Sequence, residues 1–325
     1  MTTSLLSAGP ATRRRRVSTH VWRGLTYLSL LLLMAPAAWL LVYVVTKAWP
    51  HWQWSVLWTQ LTSTGGGLRD QILGTFILMI GVFIIAGSIG VFAGIHLAEF
   101  ARPRRFSGRV SGPLRTASDV LSGFPSIVLG YVGYVALVVG LGWKLSLLPA
   151  LIILSIMVIP YIAKNTETAL RQVPTGYREG AEALGMSSGY GLRKVVLKSA
   201  LPGIMTGLLL ALAIACGETA PLVYTAGFSN TLPHSLTGSQ FPYLTYMVFT
   251  GFNSPETQYH YLAYDAALIL VVIVMLLLVL SRIIVSRTQR HSESSRSTGG
   301  GLRARLRARA KKNEPLLGIT GAPPR

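Results

Sequence analysis

The chain has 325 residues, 51% hydrophobic and only 13% charged, with a mean hydropathy of +0.49. A soluble domain carries about 25% charged residues, so this composition excludes an ordinary soluble enzyme. The formal charge of +19 suggests nucleic acid only in a soluble protein, and here its placement along the chain reads as membrane topology instead.

The predicted elements are apolar stretches long enough to cross a hydrocarbon core about 30 Å thick. Residues 1–23 form a basic leader with Arg13 to Arg16, and the first span covers Gly24–Thr46. Arginines before an apolar run, with Ala35-Pro36-Ala37 inside it, are also the marks of a signal peptide. The apolar run continues to Val45, beyond the usual signal core, so the segment is expected to be retained as a span. The second span is Ile72–Ala98, with Gly90 and Gly94 spaced for close helix packing. His96 near its end is expected to be solvated. "ARPRRFSGRVSGPLRTASD" then reads as a short amphipathic surface segment. The third and fourth spans, Ser118–Trp143 and Ser146–Ala163, are separated only by Lys144-Leu145 and must form a tight hairpin. Gly130, Gly133 and Gly140 crowd the third, which again suits close packing. The fifth span is Gly203–Phe228 and the sixth Leu262–Val285. Together, residues 24–286 form one transmembrane domain, and 287–325 are expected to be a disordered basic tail drawn to anionic membrane lipid. Cys216 is the single cysteine and lies within an apolar span, so no internal disulfide forms.

All of the 30 Lys and Arg except Lys47, Arg69 and Lys144 fall in four places. These are before span one, between spans two and three, between spans four and five, and from the end of span six onward. Six crossings put those four places on one side, and the segment from Ser229 to Tyr261 on the other side has neither residue. Positive charge accumulates on the cytoplasmic side. Both termini and the loop between spans four and five are therefore expected in the cytoplasm, in a multi-pass plasma (inner) membrane protein. The aromatics of Ser229–Tyr261 fit either the membrane interface or a surface that receives a partner.

That cytoplasmic loop, residues 175–202, has its own pattern. A helix starts near Thr175, carries Glu179, Ala181, Ala183 and Leu184, and ends at Gly185. After Ser187-Ser188-Gly189, a stripe of Leu192, Val195, Val196 and Ser199 leads into span five, with Arg193, Lys194 and Lys198 off the stripe. The pattern alone fits a lever along the membrane surface or an ordinary loop resting on head groups.

The stretch also resembles the coupling motif of ABC importer permeases. The family pattern of Glu-Ala-Ala, a spaced Gly and a later Ile and Leu-Pro is met here by Glu179-Gly180-Ala181, Gly185, Val195 and Leu197-Lys198, with a further Leu-Pro at Leu201-Pro202. Gly180, Val195 and Lys198 depart from it. "GETAPLVYTAGF" at Gly217–Phe228 and "SDVLSGFPSIVLGYV" at Ser118–Val132 resemble the PstA-type permeases of phosphate importers. The resemblance spans about Ile72 to Val285 and leaves Trp49–Gly67 and both tails outside. It implies a type I ABC importer permease fold, six transmembrane helices, and ATPase coupling through Glu179, Gly180, Ala181, Gly185, Leu201 and Pro202. The implied partners are a second, PstC-type permease, a cytoplasmic PstB-type ATPase dimer and an extracytoplasmic PstS-type phosphate-binding protein.

The chain contains no Gly-Lys dipeptide, so it has no GxxxxGK[ST] phosphate loop, and no metal-binding pattern. It is therefore read as a non-enzymatic subunit without cofactor, with ATP and Mg bound by a partner. Glu218 lies inside predicted span five, and a carboxylate there is a functional candidate. Phosphate near neutral pH keeps a proton that it can donate to a carboxylate, whereas sulfate has none, which is a basis for selection by an unpaired penalty. Fixing a helix break before Pro221 is the other role open to it. The family pattern carries an Arg three residues before Gly217, where this chain has Ile214. Thr219, Ser126 and Ser122 complete the candidate pathway, although Ser126 can also bond back to its own helix after Pro125. A permease for sulfate or molybdate, a secondary carrier and a phosphate-sensing scaffold are the alternatives.

Overall fold

The computed structural model describes residues 10–62, 65–100 and 106–312, with side chains over 18–62, 66–100 and 112–286. Eleven helices follow in order: α1 Pro10–Ala48, α2 Arg69–Ile95, α3 Phe106–Ser122, α4 Ser126–Gly133, α5 Leu147–Arg171, α6 Thr175–Ala183, α7 Ser188–Gly191, α8 Leu197–Gly217, α9 Ala220–Thr225, α10 Leu244–Asn253 and α11 Thr257–Lys312. Wide π-turns prolong α2 (His96–Phe100) and α4 (Tyr134–Val139) and join α7 to α8 (Leu192–Val196). Among the described residues the only strands are β1 Leu61–Thr62 and β2 Gly65–Gly66, paired antiparallel. The first nine residues of the expected leader and residues 313–325 of the expected tail lie outside the described residues, as do the tail side chains from 287 on. The backbone of α11 runs as helix to Lys312.

Among the described residues, five helical stretches are long and apolar enough to cross a membrane: Ser18–His51, Arg69–Phe100, Leu147–Arg171, Ser188–Gly217 and Thr257–Ser286. A sixth crossing is made only if Gly112–Ser122 and Ser126–Val139, bent by 105° where they meet, count as one. The expected straight span Ser118–Trp143 is thus corrected to a broken one. Pro125 has ψ of 126° and no N–H to donate, so the helix stops at Ser122 and restarts at Ser126. The expected span Gly203–Phe228 is corrected likewise. α8 ends at Gly217, Glu218 is extended (φ −76°, ψ 130°), and α9 starts afresh. Pro221 cannot donate back to the Gly217 carbonyl, which removes the bond that would have carried the helix through. The fourth span runs longer than predicted, to Arg171, with Pro160 inside it.

The chain divides into two compact bodies. The first comprises Met1–Thr75, Phe228–Leu232 and Phe241–Val272. Its core gathers Val56, Leu61, Leu68, Phe241, Tyr243, Leu244, Met247, Ala263 and Ala266. The hydroxyl of Thr75 accepts the Leu244 N–H (3.0 Å) while donating to the Gln71 carbonyl (2.8 Å), so the start of α10 is tied to the start of α2. Tyr43 of α1 meets Tyr264 of α11 hydroxyl to hydroxyl at 3.2 Å, and Tyr264 packs edge-on against Phe252 of α10. α1 otherwise exposes apolar side chains on every face, Trp39 at 72% and Leu33 at 68% among them. A helix that is apolar all round and uncovered by protein belongs in lipid or against another membrane chain.

The second body comprises Phe76–Gly227, Pro233–Gln240 and Ile273–Arg325. α5 is its centre, and Leu154, Val158, Thr166 and Leu170 on it are wholly covered. α2 reaches α5 through the small-residue face expected from the sequence: a Cβ on Gly90 would fall 2.7 Å from Ile162, and one on Gly94 2.5 Å from Thr166. α8 packs on α5 with Gly207 over Asn165 and Gly203 over Ala169. The hairpin between α4 and α5 is closed by backbone bonds from Lys144, Ser146 and Leu148 to Thr237, Thr225 and Leu236.

Candidate functional site

Two places in the second body carry the residues singled out in the sequence. The first is the polar elbow of α6 and α7. α6 starts after Pro174 and ends in a glycine cap: Gly185 has φ +72°, its N–H donates to the Glu182 carbonyl (2.9 Å), and the Met186 N–H donates to Ala181 (3.1 Å). Those two bonds are the Schellman pattern, and the left-handed residue it needs is most cheaply Gly. The predicted helix end at Gly185 is therefore where the chain turns. Ala181 is buried against Gly191, whereas Glu179, Gly180 and Gly185 face outward. Leu201 is exposed and Pro202 half-buried in the first turns of α8.

The outward face of the elbow is apolar as well as charged. Tyr177 and Tyr190 are about half exposed, and Leu184 is 77% exposed at the tip. These groups give an otherwise polar protrusion an apolar component on its outer side. Of the expected stripe, Val196 is buried, Leu192 and Val195 are half-buried, and Ser199 is exposed. Arg193, Lys194 and Lys198 are exposed as predicted.

The second place is where the two broken helices meet. α4 and α9 lie against one another so closely that a Cβ on Gly130 would be 2.5 Å from the Pro221 Cα, and Gly133 faces Ile153 and Thr225. This contact sets the break after α8 beside the break before α4. Glu218, half-buried, takes a hydrogen bond from the Ser126 hydroxyl. The sequence left Ser126 the option of bonding to its own helix; the structure directs it to the carboxylate. Thr219 is the N-cap of α9, its carbonyl accepting from Leu222 and Val223 at 3.1 Å. Ser122 stands on the far side of the Pro125 break, its hydroxyl on the Asp119 carbonyl (3.0 Å), while its own carbonyl receives the Tyr161 hydroxyl (3.4 Å). Glu218, Ser126 and Thr219 are brought together; Ser122 is engaged elsewhere. The carboxylate also sits at a helix end, at the break before Pro221 that the sequence left open as its other role. A hydroxyl that donates to a carboxylate, next to a backbone interruption between closely packed helices, can receive a protonated oxyanion as a hydrogen-bond donor.

Several ionic residues at the elbow end escaped the sequence reading. Arg178 reaches Glu99 at 2.5 Å, and Arg115 and Arg171 both hold Glu167, at 2.6 and 2.9 Å. Only Arg171–Glu167 had a readable signal, its i,i+4 spacing. His96 is half-buried in the π-turn beside Phe100 with its Nε2 buried and without a hydrogen-bond partner, not solvated as expected.

Residues 86–290 match the family described as binding-protein-dependent transport system inner membrane component. Over 272 residues the chain is 51% identical to the phosphate transport system permease protein PstA 2 of Mycobacterium bovis, covering 83% of this chain and 89% of that protein. It is 31% identical over 257 residues to the phosphate transport system permease protein PstA of Yersinia pestis, covering 77% and 83%. Among solved structures it is similar to the MetNI methionine ABC transporter in an inward-facing conformation, with a TM-score of 0.48 and 22% identity over 68% of this chain and 94% of that one.

Proposed function

Since this chain belongs to the family of binding-protein-dependent transport system inner membrane components, we propose that it is the permease subunit of an ATP-driven phosphate importer, forming half of the transmembrane pathway. The observation that carries the substrate is the 51% identity, over most of both chains, to a protein named as a phosphate transport system permease. The Glu218–Ser126 contact at the paired helix breaks agrees with it, since a carboxylate repels fully ionised sulfate but accepts a hydrogen bond from protonated phosphate. Glu218, Ser126 and Thr219 line the pathway, with Ser122 at its edge.

In this reading the 175–202 elbow docks into a cytoplasmic ATPase through Glu179, Gly180, Ala181 and Gly185, flanked by the exposed Tyr177, Leu184 and Tyr190. Leu201 and Pro202 join it to α8. Both termini are cytoplasmic, and the chain works with a PstC-type permease, a PstB-type ATPase dimer that binds ATP and Mg, and a PstS-type binding protein. ATPase closure displaces the elbow, and the two-state change this drives needs different contacts in each state.

The test is copurification followed by reconstitution in proteoliposomes. An ATPase and a second permease are expected to come with this chain, and phosphate-loaded binding protein to stimulate ATP hydrolysis and phosphate uptake. Stimulation by sulfate- or molybdate-loaded protein instead would move the assignment to another oxyanion. Uptake by the isolated chain without an ATPase would overturn it in favour of a secondary carrier.

A further inference from the structure

A residue outside the quoted coupling motif also ties the elbow to the helix bundle. Arg178 precedes Glu179 on α6, but its side chain turns inward. One guanidinium nitrogen lies 2.5 Å from Glu99 Oε2, and the other donates to the Leu170 carbonyl at 3.2 Å. Glu99 belongs to the π-turn that ends α2, and Leu170 to the last turn of α5. A single planar fork thus ties three elements: the elbow, α5 and α2. The Glu99 side chain is only 14% exposed and Arg178 32%, and the second Glu99 oxygen is buried without a partner.

The packing behind this pair is loose. A cavity of about 120 Å³ lies beside the pair inside the elbow, lined by Glu99, Arg178, Ala181, Met186, Leu192 and Val196. Chain connectivity already joins the elbow to α5 through Gln172–Pro174 and to α8 through Leu192–Val196. It gives no connection to α2; that one is made by Glu99.

We propose that Arg178 is a positioning residue that carries displacement of the elbow to α2 through Glu99, so that α2 moves with α5 and α8 when the ATPase engages. This rests on the coupling role proposed above and extends it to a third helix. Arginine suits the task because its fork holds a carboxylate and a carbonyl at once in fixed geometry, which lysine does not.

The experiment uses the complete transporter in proteoliposomes and reads phosphate taken up per ATP hydrolysed. Arg178→Ala and the isosteric Glu99→Gln are each expected to lower that ratio about tenfold, the scale of a typical coupling between sites. Arg178→Lys, which keeps the charge but cannot hold the carboxylate and the Leu170 carbonyl in one planar fork, is expected to recover only part of it while ATP hydrolysis itself stays near the parent rate, which a merely structural role would not predict. Glu99→Gln keeps the test open if Arg178→Ala does not assemble. An unchanged ratio in Glu99→Gln, or an Arg178→Lys variant equal to the parent, would overturn the proposal. Gly185→Leu in the same assay separates the two levels: if it uncouples while the Arg178 and Glu99 variants do not, the elbow is the coupler and the latch is wrong.

Discussion

Replacing Gly185 tests the elbow at its most exposed point. The residue is held at φ +72°, and a Cβ built there meets nothing within 4 Å. A Cβ there therefore adds no clash inside the chain, and its cost within the chain is the backbone term. For an ordinary L-residue in the left-handed region that is about 1–2 kcal/mol, and less for Asn. One to two kcal/mol changes an equilibrium by roughly 5- to 30-fold, so the closed turn after α6 would be depopulated by that factor while the membrane helices stay intact. Phosphate uptake and ATP hydrolysis should be measured in proteoliposomes for Gly185→Asn, Gly185→Ala and Gly185→Leu, with membrane insertion checked by expression. Asn should stay near wild type, Ala should lose coupling, and Leu should lose at least as much, since Gly185 lies on the proposed docking face. Normal uptake by Gly185→Leu would refute the reasoning. So would a loss in Gly185→Asn as large as in Gly185→Ala, because the left-handed backbone would then not be what the glycine supplies.

Glu218→Gln should lower phosphate uptake or admit sulfate in a competition assay; unchanged uptake and discrimination would leave Glu218 only its role at the helix break. Ser126→Ala removes the hydroxyl that bonds this carboxylate and should cost about 1.5–3 kcal/mol, visible as a lower unfolding temperature in detergent. Gly130→Val drives a side chain into the Pro221 backbone and should destabilise by at least about 1–3 kcal/mol, whereas equal stability would mean that α4 and α9 are not packed as described. Thr75→Val leaves the buried Leu244 N–H without its acceptor, an expected loss of about 1–3 kcal/mol that Thr75→Ser should recover.

The membrane class and the positions of the crossings were legible because lipid imposes a simple rule: about 20 apolar residues per helix. The Gly185 turn was legible because a left-handed helix end leaves a glycine in the sequence. The breaks were visible only as Pro125 and Pro221. Apolarity continues through both, so a hydropathy reading runs straight across Ser122–Ser126 and Gly217–Ala220. Ser126 and Glu218 were separate candidates, and their pairing needed the α4–α9 contact, which joins residues some 90 positions apart. The Arg178–Glu99 pair is hidden for the same reason. A charge in a cytoplasmic loop looks solvated until the fold shows what lies beside it.

The wide turn at Leu192–Val196 also bears on how this chain tolerates change. Such a turn holds one residue more than a regular helix allows, and each residue advances the helix by about 100°. Losing one residue between 192 and 196 would let the turn relax into regular helix while the side chains upstream keep nearly their former bearing on α8, because the wide turn gives up the residue it holds in excess. The tip carrying Leu184 would then keep its aim. A single deletion in this short stretch should therefore be tolerated better than one in the regular helix of α8, where nothing absorbs the step of about 100°.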